Sequence, residues 1–595
     1  MTKDALIARL KGYEWADFEC KKAKRSIPDD AYATVSAFAN TAGGWLLFGI
    51  SEEQGQLLVT GIDNDAFDQV QNNFLTVLRS GQKLNRPIAV QPTVHELDGK
   101  RVLACFIPAS PRHEKPIYLK GNPRNSYIRR GASDEQVTEH ELQRFMRDAA
   151  LKSWDSEGLI DIPATQFFDA DTLQWYQTQF YQRHPEKKAI TEALPFLLEW
   201  NFIVEQGQQQ FPTRAAVLLF GKDRFVRQLL PRPVLDYQRI DTLFANWSPE
   251  LRWHDRLLFE ENLFSTWRGL VGKYMRIAER PFLLDPATLR RNDDPADYVA
   301  FREAAINLLI HQDYGDTFRT PALKIFVDRT VFWNPGDAFA TASELLEYSE
   351  KELRNPAIVT AFRRIGLSDQ AGTGIRAIYR NWHQLGRVPP SIHNNKANKS
   401  FELVLVNEPL ITPTVRQFQQ RLGAKLTTQQ AEVLALAVRA ATVSPLDVRQ
   451  LIQGGVAEVQ ALLNSLVAQQ LLLELEPKQT YQLPEHLQAL FSASSTVAGI
   501  QHPRLESRLE SRLGSNLAAK VVLLLREQPL GKIRLAEALG HKTVSGELNK
   551  QVKHLLTRQW IEMTLPEKPS SRLQQYRLTA AALDLITQLE QVELS

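Results

Sequence analysis

The sequence predicts a multidomain protein of mixed α/β and α+β character, and three observations carry that expectation. The chain has 595 residues, which at ~100–200 residues per domain implies several domains rather than one. Strand-like and helical segments alternate through its first two thirds, whereas the last third is helical with short strand-like pairs. Apolar residues make up 43% and charged residues 23%, enough apolar material to give each unit its own core.

The same figures exclude several classes. Lys and Arg total 71 against 68 Asp and Glu, a net charge of +3, so a nucleic-acid surface must be a local patch. No uninterrupted apolar stretch reaches the length of a membrane span, and no membrane partner is expected. The opening MTKDALIARLKGYEW lacks the apolar centre of a secretory signal. With only Cys20 and Cys105, a disulfide framework and a cysteine-based zinc site are both ruled out. A reducing, cytoplasmic setting is the expectation.

Residues 1–148 read as an α+β unit. GYEWADFECKKA is strand-like, and Pro28-Asp29-Asp30 starts a helix that stops at Asn40-Thr41-Ala42-Gly43-Gly44. WLLFGI and LLVTGI, separated by a Glu/Gln/Gly turn, predict a hairpin. RVLACFIPA and SYIRRG follow as strands, and a helix closes the unit from about 139 to 151. Residues 149–300 are a connecting portion with helical Leu/Trp/Phe-rich stretches and one expected strand, AAVLLFGK. Over 301–408 the pattern sharpens: helix YVAFREAAINLLIHQ, strands ALKIFVD and TVFWNPG, a helix, a glycine-rich turn, a helix and strand FELVLV. Two modules end the chain at 412–490 and 516–592, joined over 491–515 by a linker that contains the period-four run SRLESRLESRLG.

Each terminal module reads as three helices followed by a strand pair, the plan of a winged helix, whose third helix can enter a major groove. From Lys542 to Arg577 seven Lys/Arg face three Glu, a local excess that phosphate contacts can use. Ser545, Asn549 and Lys553 recur on one helical face, and Lys568 and Arg572 fall in the loop of the wing. These five are the expected contacts to nucleic acid in this module, with protein docking as the competing use of the fold. The module at 412–490 is more acidic.

In the middle domain Glu303, Asn307 and His311 stand at i, i+4 and i+8 on one helix face. A carboxylate can orient a water there, and an amide oxygen can hold magnesium on a triphosphate. Asn334-Pro335-Gly336 ends a strand, and Ala371-Gly372-Thr373-Gly374-Ile375 opens a helix whose backbone N–H groups suit phosphate. No G-x-x-x-x-G-K-[ST] occurs, which disfavours a P-loop ATPase.

In order and spacing these motifs resemble the GHKL ATPase superfamily, in the short form that follows a Schlafen-like domain in bacterial predicted transcriptional regulators. The resemblance implies an α/β sandwich binding ATP and Mg2+. REAAINLLIHQDY is similar to that family's N-box, implying Glu303 as the base for hydrolysis and Asn307 as the magnesium ligand. FWNPGD implies Asn334 and Gly336 on the adenine side, where typical members carry an aspartate in the place of Asn334. LRNPAIVTAFRRIGL with AGTGI implies Arg354, Asn355, Gly372, Thr373 and Gly374 as the lid and phosphate loop.

GYEWADFECKKA, AFANTAGGWLLFGISEEQG and IYLKGNPRNSYIRRGAS together resemble the Schlafen-like, AlbA-related domain along nearly all of 1–148. In some Schlafen proteins a metal-dependent nuclease centre uses a Glu-x-x-x-x-Glu pair and a third acid, and the matching positions are Glu14, Glu19 and Glu52, with Glu53 competing for the last. In one continuous strand residues five apart face opposite ways, so Glu14 and Glu19 share a metal only if the strand starts after Glu14 or bulges. Glu19 and Lys21 do share a face, suited to a metal and a scissile phosphate. For binding alone, Lys21, Lys22, Lys24 and Arg25 form one basic run, and Arg129 and Arg130 end a second one interleaved with Tyr118 and Tyr127.

The leading expectation is an ATP-responsive nucleic-acid-binding protein, a transcriptional regulator on DNA with weak ATPase activity. A homo-oligomer is expected, because winged-helix regulators and GHKL domains often pair. The competing class is a metal-dependent nuclease acting on RNA or DNA in phage defence, switched by ATP.

Overall fold

The computed structural model describes residues 3, 6, 17–53, 56–150, 152–248, 250, 253–277, 295–347, 351–368, 374–440, 442–475, 480–497, 509, 512–513, 515–527, 530–539, 546–564, 575–580, 582–583 and 586. These form a mixed α/β multidomain chain with two compact units, 1–412 with 425–484, and 413–424 with 485–595. No single helix among the described residues is long and apolar enough to cross a membrane.

The N-terminal part is built on short apolar strands: β1 (Phe18–Lys21), β2 (Gly44–Phe48), β3 (Ile50–Glu53), β4 (Gln56–Val59), β5 (Pro92–Leu97), β6 (Lys100–Ile107), β7 (Tyr127–Arg130) and β8 (Ser133–Gln136). The helices are α1 (Ala31–Asn40), α2 (Phe67–Ser80) and α3 (Glu139–Ala149). One sheet runs β1-β2-β6-β5. β1 and β2 are parallel and therefore need a crossover, which α1 supplies. The expected WLLFGI–LLVTGI hairpin is corrected here. WLLF belongs to β2, between β1 and β6, while β3 and β4 pair with each other as a separate ribbon. Gly49 between them sits at φ +93°, a left-handed backbone that turns the chain out of the first sheet. α3 begins with a capping box in which Thr138 and Glu141 exchange side-chain bonds with each other's backbone N–H.

The middle of the chain contributes α4 (Ala170–Arg183), α5 (Ala193–Glu199), β9 (Ile203–Gln206), β10 (Gln209–Pro212), α6 (Arg214–Phe220), α7 (Asp223–Leu229), β11 (Leu235–Arg239), β12 (Asp255–Phe259) and α8 (Leu263–Ile277). The expected strand AAVLLFGK is instead α6. Thr213 caps it by accepting the Ala216 N–H, and Ala215 to Phe220 are all buried. A short apolar run buried all round carries no period to tell strand from helix. α9 (Ala296–Ile310), β13 (Ala322–Ile325), β14 (Arg329–Pro335), α10 (Pro356–Arg364), α11 (Gly374–Gln384), β15 (Ser391–Asn395) and β16 (Ser400–Val406) follow. Their six-stranded sheet runs β12-β11-β13-β14-β16-β15, so two of its strands come from the connecting portion. One core spans both, with the ring of Tyr176 packed among Phe196, Phe202, Phe220 and Phe264.

α12 (Pro413–Arg421) precedes a three-helix module of α13 (Thr428–Arg439), α14 (Pro445–Ile452), α15 (Val456–Ala468) and the hairpin β17 (Leu473–Leu475)/β18 (Thr480–Gln482). Val443 adds a bridge to Tyr481. The second unit holds α16 (Glu485–Val497), α17 (Asn516–Glu527), α18 (Lys532–Ala538), α19 (Gly546–Thr557) and the hairpin β19 (Ile561–Met563)/β20 (Tyr576–Leu578). Leu530 bridges to Tyr576 in the same way. The period-four run is more than a linker: Leu509 and Leu513, one helical turn apart, are buried in the core of this unit.

Candidate nucleotide site

β14 and β16 face α9, and between them opens a cleft of about 420 Å³, inside the ~300–1,000 Å³ range of small-molecule sites. Glu303, Asn307 and His311 all line it, as their spacing on α9 requires. Its floor is apolar, with Phe332, Phe401, Leu403 and Val359. The start of α11 closes on the acidic helix: a Cβ on Gly374 would collide with Oε1 of Glu303 and press on Nδ2 of Asn307 at 3.2 Å. Glycine at this position lets the first turn of the eleven-residue helix α11 approach that pair closely without displacing the Glu303 side chain. Gly372 and Thr373 lie outside the described residues.

At the other end Asn334 is buried, with Nδ2 donating to the carbonyls of Pro335 and Gly336 at 3.1 and 3.4 Å. Gly336 and Asn334 both line the cleft. Arg354 lines it too, with a side chain 9% exposed that donates to Asp148 at 2.8 Å and to Asp337 at 3.2 Å. Asn355 is a correction to its expected place in the lid. Its Nδ2 donates to the carbonyls of Ile310 and Gln312 at 3.0 and 2.8 Å, so it holds the end of α9 rather than lining the cleft. Burial, and then the Arg354 cation, push the His311 imidazole down to about 4, which keeps it neutral at pH 7. Burial alone would raise the Asp337 carboxyl, but Lys399, Arg354, Lys396 and Lys115 hold it below the ordinary carboxylate range.

Asp337, Phe339, Lys351 and His311 were not among the residues expected to bind, although FWNPGD and the i+8 position of α9 already carried two of them. The donor set fits a nucleotide with magnesium. The apolar floor suits a base, and the Glu303 carboxylate beside the Asn307 amide offers oxygen donors of the kind that magnesium on a triphosphate takes.

The N-terminal acids have a different setting. β1 starts at Phe18, and Glu14 lies outside the described residues. Glu19 is 6% exposed and accepts from Lys21 at 2.6 Å and from Arg129 at 2.8 Å. Burial lowers the proton affinity of both cations, and their carboxylate partners more than restore it. Glu52 is exposed on the β3–β4 ribbon, opposite Leu57. Among the described residues no three His, Cys, Asp or Glu side chains gather for a metal, and two cations already occupy the oxygens of Glu19.

The basic runs also divide. Arg129, expected to touch nucleic acid, is buried at 2% exposure and spans Glu19, Asp134 and the Phe18 carbonyl; it is a structural cation. Arg130 pairs with Glu135 and Glu141, and Arg25 with Asp63 and Asp65. Lys22 and Lys24 are exposed. In the last module Asn549 is half-buried and Lys553 exposed on α19, while Ser545, Lys568 and Arg572 lie outside the described residues.

Three family models match the chain. Residues 14–138 match "Schlafen, AlbA_2". Residues 319–405 match "Putative ATP-dependent DNA helicase recG C-terminal", and residues 519–579 match the C-terminal domain of the Filamentation induced by cAMP protein Fic-like group. No curated protein matches. Among solved structures, the DIP2311 protein of Corynebacterium diphtheriae is 20% identical over 95% of this chain and 94% of its own, with a TM-score of 0.36. The N-terminal domain of a putative ATP-dependent DNA helicase RecG-related protein from Nitrosomonas europaea is 30% identical over 21% of this chain and 86% of its own, with a TM-score of 0.17.

Proposed function

We propose, from the matches of residues 14–138 to the Schlafen, AlbA_2 model and of residues 319–405 to the RecG C-terminal model, an ATP-responsive nucleic-acid-binding protein that regulates transcription on DNA. The observation that carries the reading is the cleft where Glu303 and Asn307 meet the N-terminus of α11. There the α11 N–H groups take phosphate, and Asn307 supplies one oxygen to magnesium. The carboxylate of Glu303 takes the proton of an attacking water, a role worth about 10²–10⁴ in rate. The magnesium, when bound, neutralises charge on the triphosphate.

Nucleic acid is assigned to the exposed Lys22 and Lys24 of the N-terminal domain and to the face of α19 that carries Asn549 and Lys553. The helix order and hairpin of the last module match the plan of a winged helix, which supports that second contact. The nuclease reading has no comparable support, because Glu19 is neutralised within the fold.

Titration of the full chain with ATP and magnesium tests the proposal. Wild type binds; Asn307→Ala loses at least about tenfold in magnesium-dependent affinity, ~1.4 kcal/mol; Glu303→Gln still binds but loses hydrolysis. Equal ATP affinity with and without duplex DNA would remove the responsive part of the reading.

A further inference from the structure

The last helix of the N-terminal domain, α3, is tied by charge pairs to the segment after α9 and to Arg354 in the wall of the cleft. Arg144 pairs with Asp316, which is fully buried. Arg147 pairs with Asp313 at 2.5 Å, and the Asp313 N–H donates to the Pro335 carbonyl at 2.7 Å, beside Asn334 and Gly336. Asp148 accepts from Nη1 of Arg354 at 2.8 Å, while Nη2 of the same guanidinium reaches the carbonyl and carboxylate of Asp337 at 3.1 and 3.2 Å. Nε of Arg354 is buried without a hydrogen-bond partner, and Cζ of the same guanidinium lies 4.5 Å from the centroid of the Phe339 ring, itself part of the cleft.

Resting on the nucleotide reading above, we propose that Asp148 is a positioning residue for that site. It holds Arg354 at the cleft wall, and it is the link by which nucleotide occupancy reaches the N-terminal domain. A guanidinium shared between two carboxylates responds to a third anion by weakening its hold on one of them, because the added negative charge repels both carboxylates that share the one cation. A nucleotide that brings negative charge to the unpartnered Nε of Arg354, on the Gly336 side of the cleft, therefore loosens Asp148 and frees α3 to shift against the rest of its domain. By linkage, DNA bound to that domain changes ATP affinity by the same factor that ATP changes DNA affinity.

The test uses the full chain, ATP with magnesium, and one duplex DNA, with each affinity measured in the absence and presence of the other ligand. Wild type shows coupling of about fivefold or more. Asp148→Asn, which keeps shape and removes charge, brings coupling below about twofold while DNA affinity without ATP is unchanged. Asp148→Glu restores coupling, an outcome that a merely structural role would not give. Should Asp148→Asn not fold, Arg354→Lys takes its place, since an ammonium cannot bridge both carboxylates, and the same loss of coupling is expected. Full coupling retained in Asp148→Asn, or in Arg354→Lys where that stands in, overturns the proposal and leaves the nucleotide reading intact. Wild type that fails to bind ATP overturns the nucleotide reading itself.

Discussion

Glu19 and Glu303 are both glutamates on which a catalytic role was expected, and they stand in opposite surroundings. Glu19 sits on β1 at the edge of its sheet, with Lys21 on one oxygen and Arg129 on the other, and Arg129 is shared with Asp134 at 2.9 Å. Glu303 lies one helical turn from Asn307, half-buried at the edge of a cleft, with a helix N-terminus against it. The first carboxylate is satisfied by side chains of its own domain, and the second faces room for a ligand. A pair of acids in a motif becomes a site only where the fold leaves space beside it. That criterion is geometric, and residue type does not supply it.

The sharpest way to break the contrast is to remove the cation from the first glutamate. Arg129→Met strands Glu19 and Asp134 with one fewer counter-charge in a buried place, and breaking such a pair costs about 3–5 kcal/mol. Urea unfolding should show that loss, whereas Glu303→Gln should unfold within about 1 kcal/mol of wild type. Equal stability of both variants would mean that Glu19 is not held by the fold, and its place as a nuclease candidate would reopen.

A second test uses Lys115, a buried cation set among Lys399, Lys396, Asp337 and Asp148. Its Nζ donates to the carbonyls of Asn40 and Thr41 at the end of α1, at 3.0 and 3.3 Å. Burial, and then Lys399 and Lys396, bring its pKa down to about 7. The unfolded lysine titrates near 10.4, so between pH 7 and 10 the unfolded chain binds more protons than the folded one, and stability rises with pH across that window. Lys115→Met removes this dependence. Melting temperatures at pH 7 and pH 9.5 should therefore rise more in wild type than in the variant, and parallel changes would show that the ammonium stays fully charged in the fold.

How legible these places were follows from the same contrast. α9 was readable because Glu303, Asn307 and His311 recur at i, i+4 and i+8 within a long apolar stretch, and β14 because Asn334-Pro335-Gly336 ends it. The pairing of Glu19 with Arg129 was hidden, because its partners lie far apart in sequence and only the fold brings them together. Asp148, Asp313 and Asp316 were hidden for the same reason. α6 reads as a strand in the sequence because its six enclosed residues, Ala215 to Phe220, have no polar face to set a period. In the N-terminal hairpin the apolar pattern was right, but Gly49 moved the break in the strand by a few residues and changed its partner.

The smallest expected effect separates cations that belong to the fold from cations that face solvent within a single run. Lys21 and Arg25 are engaged with Glu19, Asp30, Asp63 and Asp65, while Lys22 and Lys24 are exposed. Replacing the last two by alanine should leave the melting temperature unchanged, because exposed side chains away from caps and pairs contribute within about 0.5 kcal/mol. If each meets a phosphate, the slope of log affinity against log salt falls by about 0.9 per lysine on duplex DNA and about 0.7 on a single strand. The size of the drop thus reports which kind of nucleic acid the N-terminal domain holds. A slope that does not move would shift the contact to the face of α19 that carries Lys553.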